Sequence, residues 1–191
     1  MRLFVALQIP DSIRHDYAKL IDDWRRFDAK ATPKKPKWVR PENLHVTLKF
    51  IGQTDPARLD AICVALAEVR SPQEVHLHFR NIGFFPSAKC PRVIWGGMES
   101  SENLAPLAHA VDKQIATLGF PAEERAFTPH LTLARLDPPG IAQELRTAIE
   151  NQATRNFGEL HTSEFHLIES KLKPSGAEYT TLRSFPFVSK D

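Results

Sequence analysis

Leu44-His45-Val46-Thr47-Leu48 returns once, far downstream, as Pro129-His130-Leu131-Thr132-Leu133. The two-residue period of a β-strand puts His45 and Thr47 on one face, and Leu44, Val46, Leu48 and Phe50 on the other. In the second copy His130 and Thr132 face one way, Leu131 and Leu133 the other. A strand that buries its leucines thereby presents an imidazole and a hydroxyl side by side. With eight His in the chain, one such stretch is an ordinary half-buried strand. Two copies arise by accident in fewer than about one sequence in a hundred, so the repeat points to a site.

Outward from the first copy, Leu3 to Ile9 reads as a strand stopped by Pro10. Asp11 is the expected N-cap of a helix with Ile13, Tyr17, Leu20, Ile21, Trp24 and Phe27 on one stripe. Lys30 to Lys37 is Pro-rich and basic, a loop able to reach phosphates or simply a solvated one. Past Gly52, Asp55-Pro56 opens a helix with Leu59, Ile62, Leu66 and Val69 inward. Strands are expected at Val75–Phe79 and Arg92–Trp95, with Gly83 to Pro86 between them. A helix follows, with Leu104, Leu107, Val111, Ile115 and Leu118 on one stripe and Gly119 at its end. Phe127 to Leu136 carries the second copy as a strand. A short helix follows with Ile141, Leu145 and Ile149 inward, then alternating segments at Phe165–Ile168 and Tyr179–Leu182. Each half of the chain holds one copy among similar elements. The pattern is that of an α+β protein, one domain over residues 1–191, with two lobes and a cleft between them.

Composition bounds the partners. A formal charge of +2 and a pI near 8.6 permit RNA without demanding it. Cys63 and Cys90 form no C-x-x-C and cannot staple a fold of this length, which favours a reducing compartment. No stretch has signal-peptide or membrane-span character, so a cytoplasmic protein that avoids membranes is expected, as a monomer.

Two imidazoles and two hydroxyls across a cleft suit displacement at phosphorus. Histidine titrates near neutrality, so one ring can accept a proton from water while the other gives one to the leaving oxygen. Each Thr can donate to a non-bridging phosphate oxygen. A ribose 2′,3′-cyclic phosphate is strained, which lowers the barrier and leaves acid–base catalysis and positioning to do the rest. Zinc is the competing use of clustered His. Neither copy has a carboxylate or Cys at ligand spacing, and H-E-x-x-H is absent. His76 and His78 point the same way from one strand but have no evident third ligand; His15, His109, His161 and His166 belong to no constellation. No metal or other cofactor is therefore expected.

The paired motifs resemble those of the two-histidine (2H) phosphoesterase superfamily. Arg2 to Leu7, Trp38 to Gly52, Phe127 to Arg135, and Glu169-Ser170 with Pro174 to Tyr179 narrow the likeness to the bacterial and archaeal RNA 2′,3′-cyclic phosphodiesterases, also known as 2′-5′ RNA ligases. The resemblance implies two antiparallel sheets flanking a central cleft, with helices outside. It implies hydrolysis of RNA 2′,3′-cyclic phosphate ends, or of nucleoside 2′,3′-cyclic phosphates, to 2′-phosphomonoesters. His45 and His130 are then catalytic, His130 as base for water and His45 as acid for O3′, while Thr47, Thr132 and Arg135 bind the phosphate. Strict alternation would turn Arg135 away from His130 unless the strand ends or bulges near Ala134 or Arg135 reaches round the edge. Arg40, Arg125 and Tyr179 are further RNA-contact candidates; Phe84 and Phe85 could stack on a base or pack in the core. The rival functions are 2′-5′ ligation, with a 5′-hydroxyl in place of water, and a nucleotide- or RNA-binding module with incidental turnover.

Overall fold

The apolar run after Met1 forms β1 (Arg2–Gln8), buried from Leu3 to Leu7, in a computed structural model that describes residues 1–27, 35–137, 139–174 and 176–188. Pro10 ends the strand and takes the N-cap position of α1 (Asp11–Arg25). Asp11, expected as the cap, is instead the first helical residue and holds Arg14 Nη1 at 3.0 Å. The expected stripe is the buried one: Ile13, Tyr17, Leu20, Ile21 and Trp24. After β2 (Lys37–Trp38), a 3-10 turn at Pro41–Asn43 leads into β3 (His45–Gln53). Asp55 Oδ1 accepts from the amide of Ala57 at 3.0 Å, capping a second 3-10 turn at Pro56–Arg58 before α2 (Leu59–Ala67). Then come β4 (Val75–Phe85), β5 (Val93–Ser100), α3 (Leu104–Thr117), β6 (Leu131–Arg135) and α4 (Gln143–Glu150). Three strands close the chain: β7 (Asn156–Thr162), β8 (Glu164–Lys173) and β9 (Gly176–Pro186).

The strands form two sheets, ordered β3-β1-β8-β9 and β2-β6-β5-β4-β7, and every neighbouring pair is antiparallel. Helices α2 and α3 pack on the first sheet, against β9 and β3; α1 and α4 pack on the second, against β7 and β4. The α+β, two-sheet expectation holds, with one motif strand in each sheet. The lobes are not the two halves of the sequence, however. β8 and β9 return to complete the sheet begun by β1 and β3, and α1 and α3 each cross to the sheet opposite the strand they follow. The crossings interlock the lobes, and one apolar cluster runs from Leu3 and Val5 of the first sheet to Phe79 and Leu131 of the second.

Three local differences have physical causes. The strand expected at Val75–Phe79 runs on to Phe85, because Asn81 at φ 68° absorbs an irregularity in its pairing with β5 without ending it. β7 shows no apolar alternation, since Asn156-Phe157-Gly158-Glu159-Leu160-His161-Thr162 is an outer strand that buries only Phe157. The second motif strand begins only at Leu131, so His130 stands on the loop just before it. The basic stretch Lys30 to Lys37, able to reach phosphates or simply solvated, lies over residues 30–34 outside the described residues. No helix among the described residues is long and apolar enough to cross a membrane.

Candidate active site

In β3 the apolar residues set the rotation of the strand. Leu44 and Val46 are buried beneath it, and each such side chain contributes about 1.5–3 kcal/mol through burial. That leaves His45 and Thr47 on the cleft side. The alternation then breaks. Ala6 pairs with Thr47 but Val5 pairs with Lys49, so Leu48 is the extra residue of a β-bulge. Past the bulge the faces exchange. Lys49 turns into the interior, where its ammonium pairs with Asp112 of α3 and donates to the carbonyl of Pro121 at 2.7 Å. Phe50 turns out and lines the cleft at 58% exposure. Strict alternation places Phe50 with the core, and the bulge corrects that.

β6 repeats the device. Trp95 pairs with Thr132 and Ile94 with Ala134, leaving Leu133 as the extra residue. Leu131, Leu133 and Ala134 are buried, and Arg135 emerges on the cleft side with His130 and Thr132. Of the alternatives open for Arg135, the bulge is the one realised. Each motif thus offers three groups, at His, two residues on and five residues on. The fifth is Phe50 in one copy and Arg135 in the other, and there the near-symmetry of the site ends.

The imidazoles are held alike. His45 Nδ1 donates to the carbonyl of Asn43 at 2.7 Å, and His130 Nδ1 to that of Thr128 at 2.9 Å. A carbonyl only accepts, so each neutral ring carries its proton on Nδ1 and keeps the Nε2 lone pair for the cleft. One segment ties the two motifs together. Lys37 and Trp38 pair with Arg135 and Ala134, and the amide of Val39 donates to the carbonyl of Leu133 at 2.8 Å. The chain then turns through Pro41–Asn43 directly into His45. Asn43, buried in that turn, donates from Nδ2 to the carbonyl of Ala177 at 2.7 Å and fixes the turn against β9.

The cleft is about 1000 Å³ and is bordered by both motifs. His45 lies between Phe4, 4.7 Å away between ring centroids, and Tyr179, edge-on at 5.3 Å. Burial among these rings is the main reason its pKa is lowered to about 4, with the charges of His130, Arg14 and Arg135 adding to the effect against the Asn43 hydrogen bond. His130 is more open and meets Phe85 edge-on at 5.3 Å, with Phe85 stacked on Trp95 at 5.1 Å. Phe85 therefore supports His130. Phe84 packs partly buried against the core, and the exposed aromatic in the cleft is Phe50. Tyr179, one of the RNA-contact candidates, borders the cleft, and so does Arg2, which was not among them. Arg125 is held by Glu123, 2.9 Å from its Nε, and does not border the cleft. Arg40 stands 3.9 Å from Glu42. Of the other histidines, His166 Nδ1 meets Ser184 Oγ at 2.9 Å in the interior. His76 has its neighbour across the sheet, in His161 rather than His78.

The lowered pKa of His45 carries a pH prediction. Its folded value lies below the unfolded one, so between about 6.5 and 4 the unfolded chain binds the extra proton and stability falls as pH falls. The loss amounts to about 3 kcal/mol across that window, and buried His166, also lowered by burial, adds in the same direction. Denaturant titrations from pH 7 to pH 4 measure it, and His45→Gln should flatten the slope. Wild-type stability that stays constant over that range would contradict the account.

Two rings able to hold and pass protons, two hydroxyls and a guanidinium around one space make a site for transfer at phosphorus, the equipment of a phosphoesterase. The family described as LigT like Phosphoesterase matches this chain twice, over residues 13–95 and 97–179, and each match contains one motif. The chain belongs to that family, within the 2H superfamily. An RNA 2′,3′-cyclic phosphodiesterase of Methanocaldococcus jannaschii is 33% identical over 185 residues, covering 97% of this chain and all of that protein. One of Archaeoglobus fulgidus is 34% identical, covering 97% and 99%. Among solved structures, a protein of Thermus thermophilus superposes with a TM-score of 0.78 at 28% identity over the whole of both chains. E. coli LigT complexed with 3′-AMP gives 0.72 at 28% identity over 98% of each.

Proposed function

We propose that the protein hydrolyses RNA 2′,3′-cyclic phosphate ends, and nucleoside 2′,3′-cyclic phosphates, to 2′-phosphomonoesters, with both lobes acting as one bilobal unit. The observation that carries this is the pair of imidazoles, each locked at Nδ1 to a backbone carbonyl two residues back, on two strands bordering one cleft. The relatives named above as RNA 2′,3′-cyclic phosphodiesterases, and 3′-AMP in the E. coli protein, support the substrate class.

In the proposed reaction His130 Nε2 takes a proton from water as the water oxygen attacks phosphorus. The P–O3′ bond breaks on the opposite side, His45 gives its proton to O3′, and the phosphate stays on O2′. Thr47, Thr132 and Arg135 donate to the non-bridging oxygens and counter the charge that grows there. In the free protein His45 is neutral at physiological pH. Its role as acid therefore requires it to gain a proton as substrate binds, and the anionic phosphate beside Nε2 favours that gain. The donors around the phosphate are hydroxyl and guanidinium groups, so the reaction needs no metal.

Phe50 offers the base of the terminal nucleotide an exposed stacking face on the first sheet. Phe50→Ala should raise KM for a dinucleotide ending in cyclic phosphate by about tenfold with little change in kcat. An unchanged KM in steady-state kinetics would remove Phe50 from the substrate site.

One experiment tests the function as a whole. An oligonucleotide ending in 2′,3′-cyclic phosphate is incubated with the protein in EDTA, alone and with a 5′-hydroxyl partner, and products are resolved on a denaturing gel. Hydrolysed ends in both reactions are expected. Joined product as the main outcome would make the protein a ligase, and bound but unaltered RNA would make it a binding module.

A further inference from the structure

His76 of β4 and His161 of β7 occupy directly paired positions in the second sheet, with ring centroids 3.9 Å apart. Glu74, two residues before His76, comes to the same spot. One ligand atom from each of the three lies within 4.8 Å of the other two, and all three residues are exposed. Neighbouring donors on a tetrahedral ion stand about 3.3 Å apart, so modest side-chain rotation closes the set. From these residues we propose a binding site for a divalent first-row transition ion, held by two imidazoles and one carboxylate with a further position open to water.

The backbone beneath these ligands is built rather than loose. Asn103, buried at the head of α3, reaches from Nδ2 to the carbonyls of Gln73 and Glu74 at 2.9 and 3.1 Å and to Ser71 Oγ at 3.0 Å. Its Oδ1 accepts from Ser101 Oγ at 2.7 Å, and that hydroxyl accepts from the amide of His76 at 3.0 Å. Two of the three ligands therefore leave a fixed chain, and the third is set by sheet register. Such preorganisation reduces the entropy cost of closing on an ion. Glu159, with Oε2 at 3.8 Å from His161 Nε2, adds negative charge beside the site and can orient the ring. Neutral imidazole with carboxylate is a donor set suited to Zn²⁺, and also to Ni²⁺ and Cu²⁺.

The site is separate from the cleft. Gly83 of β4 pairs with Trp95, which pairs with Thr132; His76 lies seven residues further along β4, roughly 23 Å away at strand spacing. An ion there would tie β7, the outer strand of its sheet, to β4.

Calorimetric titration of the untagged full chain with ZnCl₂, and with CoCl₂ followed by absorption, tests the proposal. One site in the micromolar range is expected, weakened at least about tenfold by His76→Ala or by His161→Ala, and kept in His45→Ala. Circular dichroism and cyclic-phosphate hydrolysis should be unchanged in the His76 and His161 variants, which separates lost ligation from lost folding. Wild-type protein that takes up no zinc, or a double His76→Ala/His161→Ala variant that binds like wild type, would overturn it.

Discussion

His45→Ala and His130→Ala should each lower kcat on a 2′,3′-cyclic phosphate by ~10²–10⁴, with KM changed far less. On the proposed reaction each substitution leaves the phosphate grip of Thr47, Thr132 and Arg135 in place and removes one end of the proton path. The double variant should lose little more than the worse single one, because two groups that serve one concerted step are not additive. The pH profile carries the same information. In the free enzyme His45 takes up a proton only near its lowered pKa, about 4. An acid limb of kcat/KM set by His45 should therefore fall near that value rather than near 6.5. In the substrate complex the phosphate raises the proton affinity of His45, and the acid limb of kcat should move up. A fully active His45→Ala protein would remove the catalytic pair.

The second large effect is expected at the phosphate. Thr47→Ala and Thr132→Ala should each lose ~10–10³ in kcat, by taking away a donor aimed where charge develops. Arg135→Ala should fall in the same range, ~10–10³, and Arg135→Lys should recover part of it, since an ammonium supplies charge without the planar fork. The equivalent position in the other copy is aromatic, so Phe50→Ala should act on KM and leave the chemical step alone. Steady-state kinetics on 2′,3′-cyclic AMP separates these cases. A Thr132→Ala variant with wild-type kcat would show that the hydroxyl makes no contact that strengthens in the transition state.

Much of this site is legible in the sequence because the His-x-Thr spacing matches the period of a strand and the residues between are apolar enough to fix which face turns inward. Beyond the Thr the period misleads. Leu48 and Leu133 look like further core residues, and both are buried, but each is the extra residue of a bulge. A bulge changes no residue type, so alternation alone assigns Phe50 and Arg135 to the wrong face. The available signal was the comparison between copies. Both stand five residues past a His, and the buried Lys49 is an improbable core residue unless the faces have exchanged before it. The mixing of the halves between lobes was hidden for another reason. Which sheet β8 and β9 join is decided by pairing across more than a hundred residues, on which local periodicity is silent. The same blindness separated His76 from His161, which sit side by side only through the β4–β7 register.

In the proposed reaction the two motifs carry out in-line hydrolysis of a cyclic phosphate without metal, with O3′ leaving toward His45. Two near-identical motifs do not by themselves choose which ring oxygen departs; on the proposed reaction the choice falls to the unequal groups, Phe50 for the base and Arg135 for the phosphate. Hydrolysis of 2′,3′-cyclic AMP in excess EDTA, followed by phosphorus NMR, tests this most directly. Complete conversion to the 2′-phosphate is expected. A dominant 3′-phosphate, or turnover that stops in EDTA and returns with added metal, would contradict it.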